Sequence, residues 1–139
     1  MGKFSPSRTT VTSQLIGSGR VVEVLEVVDE NAQDATLLVA ELKKGIILHT
    51  SATGGGTATT DTAANIIAGI PLTADNQCFK VYYINDGDQE VTFAGGTGVT
   101  IADTAQLATP DGGVLLIFQR TGAAAVKMYM IGGAPTESE

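Results

Sequence analysis

The sequence predicts a mainly β chain: a single β-sandwich or barrel-like domain with one short helix and an extended N-terminal arm. Three observations lead there. Runs rich in β-branched and aromatic residues recur roughly every 8–12 residues from Gln77 onward. Segments such as Asp86-Gly87-Asp88, Gly95-Gly96-Thr97 and Thr109-Pro110-Asp111-Gly112-Gly113 carry turn chemistry between them. One stretch alone combines a helix cap, an apolar face and a stop. A length of 139 residues favours one domain with a modest core.

The first element is an arm, residues 1–20. Ser5-Pro6-Ser7-Arg8-Thr9-Thr10-Val11-Thr12-Ser13 is polar, has little apolar periodicity and contains a proline. Met1 to Pro6 lacks the apolar stretch of a secretory signal, and Pro6 stands where a myristoylation pattern wants Ser or Thr. Charge sets the arm apart: it holds Lys3, Arg8 and Arg20 and no acid (+3), whereas residues 21–139 hold 5 basic and 15 acidic side chains (−10), together the net −7. A basic arm on an acidic body is able to lie along a partner as an extended strand; the alternative reading of the same residues is a floppy terminus.

The body is expected over residues 21–132. Val21 to Val28 suits either a helix face or a strand by periodicity, and its density of β-branched residues decides for a strand. Asp29 to Asp34 is turn-like, Ala35 to Leu38 is apolar again, and Ala40 to Gly45 reads as a short helical turn ended by two lysines and a glycine. Ile46 to Thr50 is a strand and Ser51 to Gly56 a flexible link. Thr60 to Pro71 is the best helix, with Thr60 or Asp61 as cap, Ile66, Ile67 and Ile70 on one side, and Gly69 and Pro71 as stop. Strands are expected at 77–85, 89–94, 98–102, 113–121 and 124–131, arranged as a sandwich or barrel and not as βαβ units. Residues 133–139 form a loose tail.

Reactive side chains are few. His49 is the sole histidine, and its place among Ile47, Leu48 and Thr50 on a strand favours a structural or surface role over a catalytic one. A hydrolase or isomerase using His49 would lose a pH-dependent activity in His49→Ala. Cys78 is the sole cysteine, so it has no internal disulfide partner and, with His49, makes too small a set for a zinc cage. Asp86, Asp88 and Glu90 cluster carboxylates that suit a hard cation, yet they lack the rest of a calcium loop and read better as an acidic turn. Gly54-Gly55-Gly56-Thr57 is not followed by Gly-Lys-Ser/Thr and reads as linker or turn. The acidic body disfavours nucleic acid, and no window approaches 18 uninterrupted apolar residues, so no membrane span is expected. No cofactor and no small-molecule substrate is suggested. The leading class is therefore a non-enzymatic structural or binding protein.

From Ala35 to Gly132 the order of features carries a resemblance. The stretches are Gly45 to Ser51, Thr60-Asp61-Thr62-Ala63-Ala64-Asn65-Ile66-Ile67-Ala68-Gly69-Ile70-Pro71, Phe79-Lys80-Val81-Tyr82-Tyr83-Ile84-Asn85-Asp86-Gly87, Val91 to Ile101, and Arg120 to Tyr129. In this combination the chain resembles small β-rich virion proteins of tailed bacteriophages, the head decoration or cement proteins, sometimes fibre-associated. The resemblance implies a homotrimer on the outer surface of the capsid that bridges subunits of the major capsid protein. It would resist pressure from packaged DNA by multivalent contact without catalysis. On that expectation the arm carries the docking, with Phe4 as apolar anchor and Lys3, Arg8 and Arg20 pairing with acidic capsid surface, while Val21 to Val28 and the final strands build the trimer or its core. The alternative within the same group is a fibre or tail-associated protein that contacts a host surface.

Overall fold

The structure is a computed structural model and describes residues 13–15, 21–50, 56–102 and 106–135. In chain order the elements are β1 (Ser13–Leu15), β2 (Val21–Glu23), β3 (Glu26–Glu30), β4 (Ala35–Leu37), α1 (Val39–Leu42), β5 (Gly45–His49), β6 (Gly56–Thr60), α2 (Ala63–Gly69), β7 (Cys78–Asn85), β8 (Val91–Ala94), β9 (Val99–Ile101), β10 (Gln106–Leu107), β11 (Gly112–Gly122), β12 (Ala125–Ile131) and β13 (Ala134–Pro135). The chain is mainly β, as its turn-punctuated, β-branched runs predict, and the helical turn expected at 40–45 is a second short helix, α1, beside α2.

The strands form a six-stranded sheet in the order β3-β5-β7-β11-β12-β9 and a three-stranded sheet β4-β6-β8, with small pairs β1-β2 and β10-β13 beside them. From β3 to β9 the chain alternates between the two larger sheets, placing odd-numbered strands in the large one and even-numbered strands in the small one. Successive strands within each sheet are therefore parallel. Glu26 to Glu30 run beside Gly45 to His49, Ile46 to His49 beside Tyr82 to Asn85, Ala35 to Leu37 beside Ala58 to Thr60, and Gly56 to Thr59 beside Val91 to Ala94. Three such rungs stack, and the β11-β12 hairpin then closes antiparallel on β7.

Apolar side chains between the sheets make one core. Leu37, Ala58 and Val91 come from the small sheet, and Ile47, Val81, Tyr83, Leu116, Phe118 and Met128 from the large one. Tyr83 meets Phe93 edge to face across the gap, with centroids 4.9 Å apart, and Phe79 stacks on Phe118 at 4.8 Å. The helices lie at rung ends. In α2 Thr62 is the N-cap, its Oγ1 accepting from the Asn65 N–H at 3.2 Å. Gly98 opens β9 with φ +84, and a Cβ there would sit 2.7 Å from the Ala124 carbonyl oxygen and 2.9 Å from Ala63 Cβ. Only glycine lets the β11-β12 turn, α2 and β9 approach so closely.

Several expectations are corrected. Val21 to Val28 is not one strand: β2 pairs with β1, the chain breaks at Val24 and Leu25, and β3 continues in the large sheet to Glu30, inside the expected turn. Thr57, expected in a link, lies in β6. The helix cap is Thr62, because Thr60 is the last residue of β6 and Asp61 instead accepts from the Thr62 N–H, the Asn65 side chain and the Val39 N–H. The pairing, which the sequence leaves open, is mixed, with parallel rungs and an antiparallel hairpin. The turns at 86–90 and 95–98 carry the chain from one sheet to the other, and a turn signal marks where a chain bends but not which strand it next pairs with. The tail from 133 includes β13, paired with β10, and Ser13–Leu15 of the expected arm lies in β1.

Phe118 is fully buried and stacked. Phe118→Ala is expected to lower the unfolding free energy by about 3–5 kcal/mol, seen as a lower urea midpoint at unchanged slope. A midpoint within error of the parent chain would show that the inter-sheet core does not hold the fold.

Candidate functional site

The docking candidates Lys3, Phe4, Arg8 and Arg20 lie outside the described residues. Of the remaining candidates, His49 ends β5 and points between the sheets, where it is 2% exposed. Its Nδ1 shares a short hydrogen bond with the Tyr83 hydroxyl. Burial pulls the His49 pKa below its ordinary 6.5, and the charge of Glu30 opposes that pull only in part. Burial likewise raises the Tyr83 pKa, reinforced by Glu30 and Glu41. Glu41 is itself raised, first by burial and then by Glu30, against a hydrogen bond from the Leu38 N–H. Burial thus favours a neutral imidazole against a protonated phenol inside the core, and Glu30 works with burial at the phenol and against it at the imidazole.

The acidic turn after β7 is organised by Asn85. Its Nδ2 donates to the carbonyls of Gln89 and Ala108 at 2.7 and 2.9 Å, and its Oδ1 accepts from the Gly87 N–H at 3.0 Å. Asp86, Asp88 and Glu90 point to solvent, and among the described residues no three metal-ligating side chains converge. At Asp61 burial pushes the pKa up, but the hydrogen bonds from Asn65, Thr62 and Val39 outweigh it and leave the carboxyl below the usual range. That carboxylate ties α1 to α2. Cys78 is exposed and free.

The feature suited to binding is the outer face of the large sheet. Strand pairing places Val27 beside Ile46, Ile46 beside Tyr82, Tyr82 beside Leu115 and Leu115 beside Ile131, an apolar row across five strands. Leu48 and Ile84 flank it on one side and Ile117 on the other. Val27 is 60% exposed, Ile131 53%, Ile84 41% and Tyr82 40%. Charge enters only toward the margins, with Asp29 on β3, Lys80 on β7 and Lys127 on β12. A sheet with parallel pairs is ordinarily covered on both faces, and soluble monomers rarely leave contiguous apolar patches much above a few hundred Å². The outer face of the large sheet is thus an exposed apolar surface among the described residues.

Sequence reasoning missed this face, although the signal is present. Ile46-Ile47-Leu48, Val81-Tyr82-Tyr83-Ile84 and Val114-Leu115-Leu116-Ile117-Phe118 are continuous apolar runs. A strand with one wet face alternates, and these do not. No family model, curated protein or solved structure matches the chain.

The His49 environment predicts a pH dependence. Because the folded pKa lies below 6.5, the unfolded chain takes up a proton first, and stability falls as pH drops from 6.5 toward the folded value. Glu41 acts oppositely: its pKa is raised from 4.5, so its contribution is present in acid and lost as pH rises from 4.5 through the folded value. Denaturant titrations from pH 5 to 7.5 are expected to show the His49 slope in the parent chain and its absence in His49→Gln. Equal slopes in both would contradict the assignment.

Proposed function

We propose that this chain is a structural virion protein, a decoration or cement protein that binds the outer surface of a phage head and stabilises contacts between major capsid subunits. The observation that carries this reading is the unbroken apolar row from Val27 to Ile131 on an otherwise solvent-facing sheet. A small chain with such a face is suited to being covered by other chains, whether subunits of the proposed homotrimer or the capsid beneath it. The sequence resemblance supplies the virion setting, and the contrast between a +3 segment and a −10 remainder supplies a segment for docking. Repetition does the rest: many individually modest contacts per particle sum to a stable layer through effective concentration.

On this reading, deleting residues 2–19 abolishes binding to purified heads while the body stays folded, with a cooperative urea transition, and loses only the small β1-β2 pair. Unchanged occupancy would refute the docking role of the arm. Gel densitometry of particles is expected to count hundreds of copies; a handful would favour the fibre or tail-associated alternative. Tyr82→Lys, at a half-exposed position in the middle of the row, is expected to lower the assembly mass in light scattering or the head occupancy. Its unfolding free energy should stay within about 0.5 kcal/mol of the parent, as for surface substitutions generally.

A further inference from the structure

A cleft of about 850 Å³ opens beside the first half of β7, walled by Leu25, Leu42, Leu72, Phe79 and Ile117, with Lys43 and Lys80 at its rim. Its cause is a late start of the neighbouring strand. Lys43, Lys44 and Gly45, the last with φ +96, bring the chain in from α1 so that the pairing of β5 with β7 begins only at Ile46 and Tyr82. On that side Cys78 to Val81 have no strand partner among the described residues, although on the other side each is paired to β11.

The direction of the free backbone groups follows from the paired part of the same strand. The His49 carbonyl accepts from the Asp86 N–H, and backbone groups alternate sides along a strand. The N–H and C=O of Lys80 and Cys78 therefore point into the cleft. Two donors and two acceptors in a row, within an apolar channel, are complementary to an extended backbone and to little else.

Side-chain placement sets the chemistry of that backbone. A strand laid beside β7 alternates its residues between the two faces of the sheet. Those on the inner side meet Leu42, Leu72 and Phe79, an apolar wall. Those on the outer side come beside Lys80, which shares its face with Ile117. Lys44 is already paired with Glu26 at 2.6 Å, whereas neither Lys43 nor Lys80 forms an ion pair among the described residues. Glu23 is the single carboxylate in the lining, so the rim is net positive on a body that is otherwise strongly acidic.

We propose that this cleft is a strand-addition site for an extended segment of a partner protein that alternates apolar side chains with carboxylates. The partner adds as a short strand to the open edge of β7, buries its apolar residues against Leu42, Leu72 and Phe79, and sets its carboxylates against Lys80 and Lys43. The site is independent of the virion assignment, which is read on particles and stands or falls there.

The exposed thiol of Cys78 sits in the lining and reports occupancy. The experiment measures its rate of modification by a maleimide in the full chain, alone and with a capped heptapeptide of alternating valine and glutamate. Controls are the same peptide N-methylated on the backbone amides of one edge, on the opposite edge, and a valine–lysine version. The expected result is several-fold slowing by the glutamate peptide, loss of that slowing for one of the two N-methylated forms, and little slowing by the lysine form. Lys80→Glu should reverse the preference between the glutamate and lysine peptides. No slowing at millimolar glutamate peptide, or equal slowing by both N-methylated forms, overturns strand addition. Equal slowing by the lysine peptide in the parent chain overturns the acidic partner.

Discussion

Parallel stacking of three rungs over one shared core is the constraint on which the rest of the structure depends. Because each rung sends one strand to each sheet, β3, β5 and β7 run the same way, as do β4, β6 and β8. Parallel neighbours require crossovers, and here the crossing chain is itself the opposite sheet. The inter-sheet core is thus the inner lining of the path the chain takes, and a defect such as a truncated Phe118 is felt by both sheets. Among the described residues the path also leaves the large sheet with no covering layer of its own on the outside. Both helices sit at rung ends, and neither spreads over the row from Val27 to Ile131. The apolar outer face is a consequence of the topology: among the described residues the short helices are spent on crossovers and leave it exposed.

The polar groups inside the core fix where the rungs end. His49 and Asn85 are neighbours in register at the ends of β5 and β7; the first is held by Tyr83, and the second ties down the turn that leads to β8. An unpartnered buried polar group would cost ~1–3 kcal/mol, but every buried side-chain nitrogen or oxygen among the described residues has a partner. Such satisfied pairs discriminate between registers more sharply than apolar contacts. A slip of one residue would turn His49 outward and Leu48 inward and would leave the Tyr83 hydroxyl unbonded in the core. Thr60 does the same at the end of β6, accepting from the Gly96 N–H and donating to the Asp61 carbonyl.

Local chemistry made most elements legible in the sequence. β-branched density placed strands near 46–50, 77–85, 113–121 and 124–131; the Gly69 and Pro71 stop placed α2, and turn residues marked the bends. Pairing was not legible, because Asp86-Gly87-Asp88 has the same chemistry whether the chain folds back beside itself or crosses to a second sheet. The break at Val24 and Leu25 was hidden for a related reason: β-branched propensity persists through a change of partner, and β2 and β3 belong to different sheets. The apolar outer face was present as a signal, in the failure of Val81-Tyr82-Tyr83-Ile84 and Val114 to Phe118 to alternate. Reading it required knowing that no described element covers the outside of the large sheet. The open edge of β7 had no local signature, since it depends on where β5 starts relative to a strand more than thirty residues later.

A sheet that is apolar on both faces and open at its edges is a hazard unless its growth is restricted. The edge strand β3 carries Glu26, Asp29 and Glu30 among its five residues. Antiparallel self-pairing centred on Val28 would set Glu26 against Glu30 of the other copy, like charges directly opposite. That edge is defended against a second copy of itself. The inlet beside β7 is defended differently: the stretch unpaired among the described residues is short, only Cys78 to Val81, and Lys43 and Lys80 stand in its lining. The two edges divide their roles by shape and charge. One is closed to indiscriminate association by its carboxylates, and the other is selective because only a narrow strand with carboxylates on one face fits its backbone, its apolar wall and its cations together.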